Sequence, residues 1–232
     1  MKRLVPFAVA SLVLASGTVG ICAESNARGM YVEQEKNPSA QKNTGVCYWL
    51  ELNRNGETRH CTNKTAFHSG DKIRIHVKPN IDGYAYILML QGSKGDKSVL
   101  FPAEELGDNK IKAGQWIALP VGADDAKAWM KFDKHPGTEV VRMIVSRKKI
   151  DPASQLHGGS VVIASNSSDD KVPDGTLVSI TVSKGSKVTS GSRNLSVVSD
   201  AKPADEGQTT VVGDAGKMLA VDITLDHTKP AE

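Results

Sequence analysis

The residues with chemical potential are dispersed along this 232-residue chain, and few of them share a spacing that defines a reaction. Six histidines stand at 60, 68, 76, 135, 157 and 227. None belongs to an HExxH helix or a Cys/His ligand series, so local spacing names no metal site. His60 and His76 could still meet across adjacent strands, but surface or structural roles are the simpler reading. Ser93, Ser146 and Ser160 lack the Gly-x-Ser-x-Gly elbow that exposes a nucleophile. The acids Glu104–Glu105, Asp124–Asp125 and Asp169–Asp170 occur as neighbours in loop-like sequence, as solvated surface acids do. Two carboxylates for glycoside hydrolysis would need a fixed separation across a cleft, which spacing alone does not supply. The run Gly92-Ser93-Lys94-Gly95-Asp96-Lys97 has neither the full phosphate-loop pattern nor a following helix, and reads as a hairpin turn. No catalytic, cofactor-binding or metal-ligating set is therefore expected.

Two features do carry an expectation. Cys47 and Cys61 are separated by thirteen residues, unlike a two-residue-spaced redox motif. In an oxidising compartment the simplest reading is a disulfide, closing a loop of about 15 residues worth about 3 kcal/mol on the chain-entropy model. The second is a stripe. Lys72, Arg74, His76 and Lys78 alternate with Ile73, Ile75 and Val77, so the four potential cations share one strand face about 20 Å long. Such a face suits an acidic partner or an anionic polymer, and it equally serves to solubilise the surface or protect a sheet edge.

These residues need elements to position them, and export comes first. Lys2 and Arg3 precede an apolar run from Leu4 to Ala15, small residues follow, and the chain turns polar at Glu24. That is the layout of a secretory signal over residues 1–23, with an apolar core shorter than the roughly 20 residues of a membrane span. Cleavage after Ala23 is expected. Ile21 is too bulky for a lipoprotein site, so anchoring through Cys22 is not. Loss of Lys2 and Arg3 leaves 27 basic and 26 acidic side chains. A chain so close to neutral offers no field for nucleic acid. The expected location is the periplasm or the exterior, with no transmembrane segment in the mature chain.

Residues 24–44 are polar and read as a flexible leader. From residue 45 to 228 the pattern is one β-rich domain, followed by a tail at 229–232. Asn55-Gly56 marks a hairpin between Cys47–Leu52 and Glu57–Cys61. Counting outward from Arg54 sets Cys47 across from Cys61. Tyr84–Leu90 is apolar on both faces, as a covered central strand would be. Further strands are expected at 98–101, 116–121, 140–146, 161–164, 177–182, 194–198, 209–212 and 218–225. No stretch shows a sustained helical period. The expected fold is all-β, an antiparallel β-sandwich or open barrel with long polar loops, those of 151–215 being rich in Ser, Gly and Asp.

From Tyr48 to Ile150 the chain resembles a bacterial family of unknown function, DUF4384. The resemblance rests on Phe67-His68-Ser69-Gly70-Asp71-Lys72-Ile73-Arg74-Ile75, on Pro79-Asn80-Ile81-Asp82-Gly83-Tyr84-Ala85-Tyr86, and on Val99-Leu100-Phe101-Pro102. Gly107-Asp108-Asn109, the run Ile111–Gly114, Phe132-Asp133 and Pro136-Gly137-Thr138-Glu139 follow in order. It implies a β-rich accessory module of envelope or secreted proteins and brings no catalytic residues. The expected function is thus a non-enzymatic extracytoplasmic binding or accessory module of the bacterial envelope, with an envelope protein or polymer as partner. A hydrolase of envelope material with a site assembled from distant loops and a structural subunit of an envelope assembly are the alternatives. A pocket holding His or Asp/Glu with a nucleophile within about 3 Å would favour the hydrolase.

Overall fold

The computed structural model describes residues 24–122, 128–156, 177–182, 195–199, 208–214, 216 and 218–229, with backbone alone for 24–26, 177–182 and 195–199. The expected signal at 1–23, the strand expected at 161–164 and much of the 151–215 connection lie outside these residues.

A helix α1 (Glu24–Lys36) and a short 3-10 turn (Pro38–Ala40) lead into the strands β1 (Asn43–Arg54), β2 (Glu57–Cys61), β3 (Ala66–His68), β4 (Lys72–Pro79), β5 (Gly83–Gln91), β6 (Ser98–Phe101), β7 (Lys110–Ile111) and β8 (Ile117–Leu119). Then follow β9 (Met130–Lys131), β10 (Gly137–Ser146), a second 3-10 turn (Pro152–Leu156), β11 (Leu177–Val182), β12 (Leu195–Ser199), β13 (Thr209–Asp214) and β14 (Met218–Thr228). They make two sheets. One runs β12-β13-β1-β4-β8, with β2 also on β1 and β9 on β4; the other runs β11-β14-β10-β5-β6, with β3 on β14 and β7 on β5. This is a two-sheet sandwich and not a closed barrel. Most pairs are antiparallel as expected, but β14 takes β11 and β3 in parallel, making its sheet mixed.

Period-two alternation builds the core. Leu50, Leu52, Ile73, Ile75 and Val77 of the first sheet face Ile87, Val141, Met143, Val145, Val221 and Ile223 of the second, all essentially buried. β5 is central, between β10 and β6. Its second face packs Tyr86 and Leu88 with Ile144 and Ala220 in a smaller cluster on the outer side, which is why Tyr84–Leu90 is apolar on both faces. Gly83 has no room for a side chain: a Cβ there would lie 2.1 Å from the Ser146 carbonyl oxygen.

Two expectations are corrected. Residues 24–44 are not a loose leader: α1 buries Ala27 and Tyr31, the Tyr31 hydroxyl donates to the Lys78 carbonyl at 2.9 Å, and Gln34 Oε1 accepts from the amides of Lys42 and Asn43. With one apolar stripe two residues wide, the helix is too polar to show a sustained period, and tertiary packing holds it. The Cys47–Cys61 disulfide is the second. The hairpin turns on Asn55 (φ 55°) and Gly56 (φ 90°), the left-handed pair a two-residue hairpin loop needs. Its centre falls after Arg54, so Arg54 opposes Glu57 and Cys61 opposes Leu50 instead of Cys47. Leu50 and Cys47 are an odd number of positions apart, which sends the two sulfurs to opposite faces of the sheet. Cys61 joins the sandwich core, Cys47 packs with Tyr31 and Val212 beneath α1, and the two are not bonded.

Candidate functional site

The cationic stripe lies where alternation puts it, but its charges are answered. Glu51, across β1, accepts from Arg74 Nε at 2.5 Å and pairs with His76 Nε2 at 2.6 Å. Burial opposes the Glu51 charge, yet these two partners hold its carboxyl below the usual range. Lys78 meets Glu35 of α1 at 2.6 Å. His60 and His76 flank the Trp49 indole, stacked at 3.7 and 3.8 Å, so the indole separates them. Lys72 lies opposite Lys131 of β9 in the ladder, two like charges side by side. The stripe is thus a salt-bridged outer face with its cationic excess at the Lys72 end.

That end leads into a pocket. Arg74 lies 4.1 Å over the ring of Trp129, and Trp129 lines an opening of about 260 Å³ between the sheets. The walls are Ile73, Met89, Leu100, Leu106, Met130 and Val141, with Pro120, Phe132 and Leu225; Lys131 and Glu139 are the charged members. The strands explain the hollow. β6, β7, β8 and β9 are only two to four residues long, so their sheets stop short there, and apolar side chains of β4, β5 and β10 line the hollow.

Beneath the pocket sits a polar cluster within otherwise apolar core sequence. The inward series of β14 runs Leu219, Val221, Ile223, Leu225 and then His227, while that of β10 runs Val145, Met143, Val141 and then Glu139. Gly137 opposes His227 and Glu139 opposes Leu225, which sets Glu139 and His227 diagonally on one face. His227 Nδ1 lies 3.3 Å from Glu139 Oε1 and its Nε2 lies 3.0 Å from Ser69 Oγ in the turn after β3. Phe132 covers the imidazole at 5.2 Å and stacks on Phe67 at 4.9 Å. Asp133 comes close from the exposed side, its carboxylate taking the backbone amide and Nδ1 of His135 at 2.7 and 2.9 Å. Burial, with the charges of Asp133 and Asp96, pushes the Glu139 carboxyl up to about 7. Burial likewise lowers His227 below its ordinary value, favouring neutral imidazole.

Ser69, His227 and Glu139 thus stand in the order nucleophile, base, carboxyl. Acyl transfer also needs amides aimed at a developing oxyanion. The two amides that follow Ser69 are committed elsewhere: Gly70 N–H donates to the Phe132 carbonyl and Asp71 N–H to the His68 carbonyl, both at 3.0 Å. Among the described residues no helix is long and apolar enough to cross a membrane.

Fold and site together define a two-sheet β-sandwich domain with an open apolar pocket at one end. Residues 66–149 match the family described as Domain of unknown function (DUF4384), bearing out the resemblance read from the motifs between Tyr48 and Ile150. The match spans β3 to β10 and holds every pocket residue named above except Leu225. β1 and β14, with His227, complete the sheets from outside it. Neither a curated protein nor a solved structure matches the chain.

Sequence reasoning missed Ser69, Glu139 and His227 as a group. The signal was available in the two inward series, each of which ends on a titratable residue at the next period-two position. Only the pairing of β10 with β14 shows that the two ends coincide.

Proposed function

We propose that this chain is a non-enzymatic extracytoplasmic binding module of the bacterial envelope, and that it holds its partner through the pocket between the sheets. The observation that carries this reading is the apolar opening of about 260 Å³ walled by Met89, Leu100, Leu106, Trp129 and Met130. Ligand pockets for whole small molecules run from about 300 to 1,000 Å³, so this one suits a single inserted group. A protein partner supplies such a group as an aromatic or branched aliphatic side chain, with an acidic neighbour for Lys131 at the rim. Methionine walls favour adaptable packing against more than one side-chain shape.

Affinity capture from envelope extract tests it, with three baits: wild type, Leu100→Asp/Leu106→Asp, and the stripe changed at Lys72, Arg74, His76 and Lys78 to Ser. The pocket variant is expected to lose the partner while keeping its far-UV circular dichroism. Identical partner sets for wild type and pocket variant would overturn the reading, and identical sets for the stripe variant would remove the stripe from it.

The hydrolase alternative has one specific observation, the 3.0 Å contact of Ser69 with His227. The committed amides of Gly70 and Asp71 weigh against it. Labelling of Ser69 by a fluorophosphonate, lost in Ser69→Ala, would reverse this preference.

A further inference from the structure

We propose that Asp133, Glu139 and His227 form a binding site for one zinc-class divalent metal ion, with Ser69 and His135 orienting the ligands. One carboxylate oxygen from each acid and one imidazole nitrogen all lie within 4.8 Å of one another. Donors on one zinc ion, each at about 2.0–2.2 Å from the metal, stand at most about 4.4 Å apart. Closure therefore needs a shift of several tenths of an ångström or more, and Asp133, half exposed on the turn before β10, is the member free to make it.

The outer contacts are those a metal-bound imidazole needs. In this arrangement His227 Nε2–H donates to Ser69 Oγ, 3.0 Å away. That fixes the tautomer in which the Nδ1 lone pair faces Glu139 Oε1, 3.3 Å away. Two facing acceptors require something positive between them, either a proton or a metal ion. Asp133 is oriented in the same way, through the amide and ring nitrogen of His135. Outer contacts of this kind fix ligand geometry in metal sites.

The donor set selects the metal class. One imidazole with two carboxylates suits zinc and its first-row neighbours, whereas magnesium and calcium take oxygen shells. Three protein ligands leave a fourth position, which the exposed Asp133 side opens to water or an anion. The tautomer that serves a metal is also the one that denies Ser69 a general base, since Nε2 then carries its proton toward the hydroxyl. A metal site and a Ser69 nucleophile therefore exclude one another.

The test uses untagged, chelator-stripped protein titrated with zinc chloride by calorimetry, and with cobalt(II) chloride by visible absorption. One equivalent of zinc is expected, with a cobalt d–d band and a rise in thermal midpoint. Asp133→Asn, at an exposed position that leaves the core intact, should weaken zinc at least tenfold. Ser69→Ala should weaken it by about 10- to 100-fold, and His227→Gln should abolish the cobalt band. Absence of zinc heat and cobalt band in wild type overturns the proposal. So does zinc binding of wild-type strength in Asp133→Asn, which would place the ion elsewhere. Should His227→Gln fail to fold, the Asp133 and Ser69 variants decide.

Discussion

Asp222→Asn should destabilise this domain more than any surface change, for a reason visible in two strands. Arg142 of β10 and Asp222 of β14 oppose one another in the ladder. They project outward from the second sheet, and both side chains are nonetheless nearly fully buried, at 1% and 8% exposure. The pair is bidentate, Nε to Oδ1 at 2.6 Å and Nη2 to Oδ2 at 2.7 Å. Such geometry matches both carboxylate oxygens to the guanidinium fork. Converting the carboxylate to an amide keeps the volume and removes the counter-charge that Asp222 brings to the buried Arg142 guanidinium. Breaking buried pairs in this way costs about 3–5 kcal/mol. Set against a total stability of about 5–15 kcal/mol, that is a large fraction. At about 2–4 °C per kcal/mol for a domain of this size, the midpoint should fall by roughly 6–20 °C. Urea unfolding followed by circular dichroism and differential scanning calorimetry measure it. A loss below about 1 kcal/mol would show that water reaches the pair, and would refute the claim that this outer face is covered.

Further outcomes follow from other residues. Burial pushes the Cys61 thiol up to about 12, so maleimide at pH 8 should leave it unmodified in the native protein and react after denaturation; non-reducing peptide mapping should recover the Cys47 and Cys61 peptides unlinked, and a linked peptide would contradict the register. Burial opposes the Asp71 charge, but Arg54 and the His68 amide hold its carboxyl below the usual range. A depressed folded pKa gives stability that is present above the unfolded value near 4 and lost as pH falls through the folded one. Wild-type urea midpoints should therefore fall on acidification below about pH 4, with a shallower fall in Asp71→Asn, and equal slopes would refute the pairing. Gly83→Ala should cost more than about 1 kcal/mol because its methyl meets the Ser146 carbonyl, and a neutral effect would show that β5 shifts freely.

The strands were legible wherever alternation was clean. Lys72–Lys78 announces its faces by alternation, Tyr84–Leu90 its covered position by being apolar on both faces, and Asn55-Gly56 its hairpin, because each signal is local. Register was not local: moving the turn centre past Arg54 swaps Leu50 for Cys47 opposite Cys61, and with it the fate of a disulfide. Helix α1 escaped because its only fully buried apolar side chains among the described residues are Ala27 and Tyr31, and its value lies in contacts with distant residues such as Lys78. The parallel addition of β3 and β11 to β14 was equally hidden, since nothing in Ala66–His68 or Leu177–Val182 names its partner. The pocket is a product of strands that end early, and its polar floor joins residues from the turn after β3 with the ends of β10 and β14. Ser69 and His227 are 158 positions apart, a distance no motif spans.

The central claim is that a partner side chain enters the pocket between the sheets. Site-specific photo-crosslinking in intact cells tests it most directly, with a diazirine amino acid at Leu106 in the pocket wall and, as control, at Val32 on the exposed face of α1. Position 106 should yield a discrete protein adduct, absent from position 32 and joined through an aromatic or branched aliphatic side chain. No protein adduct at 106, or the same adducts at both positions, would contradict it.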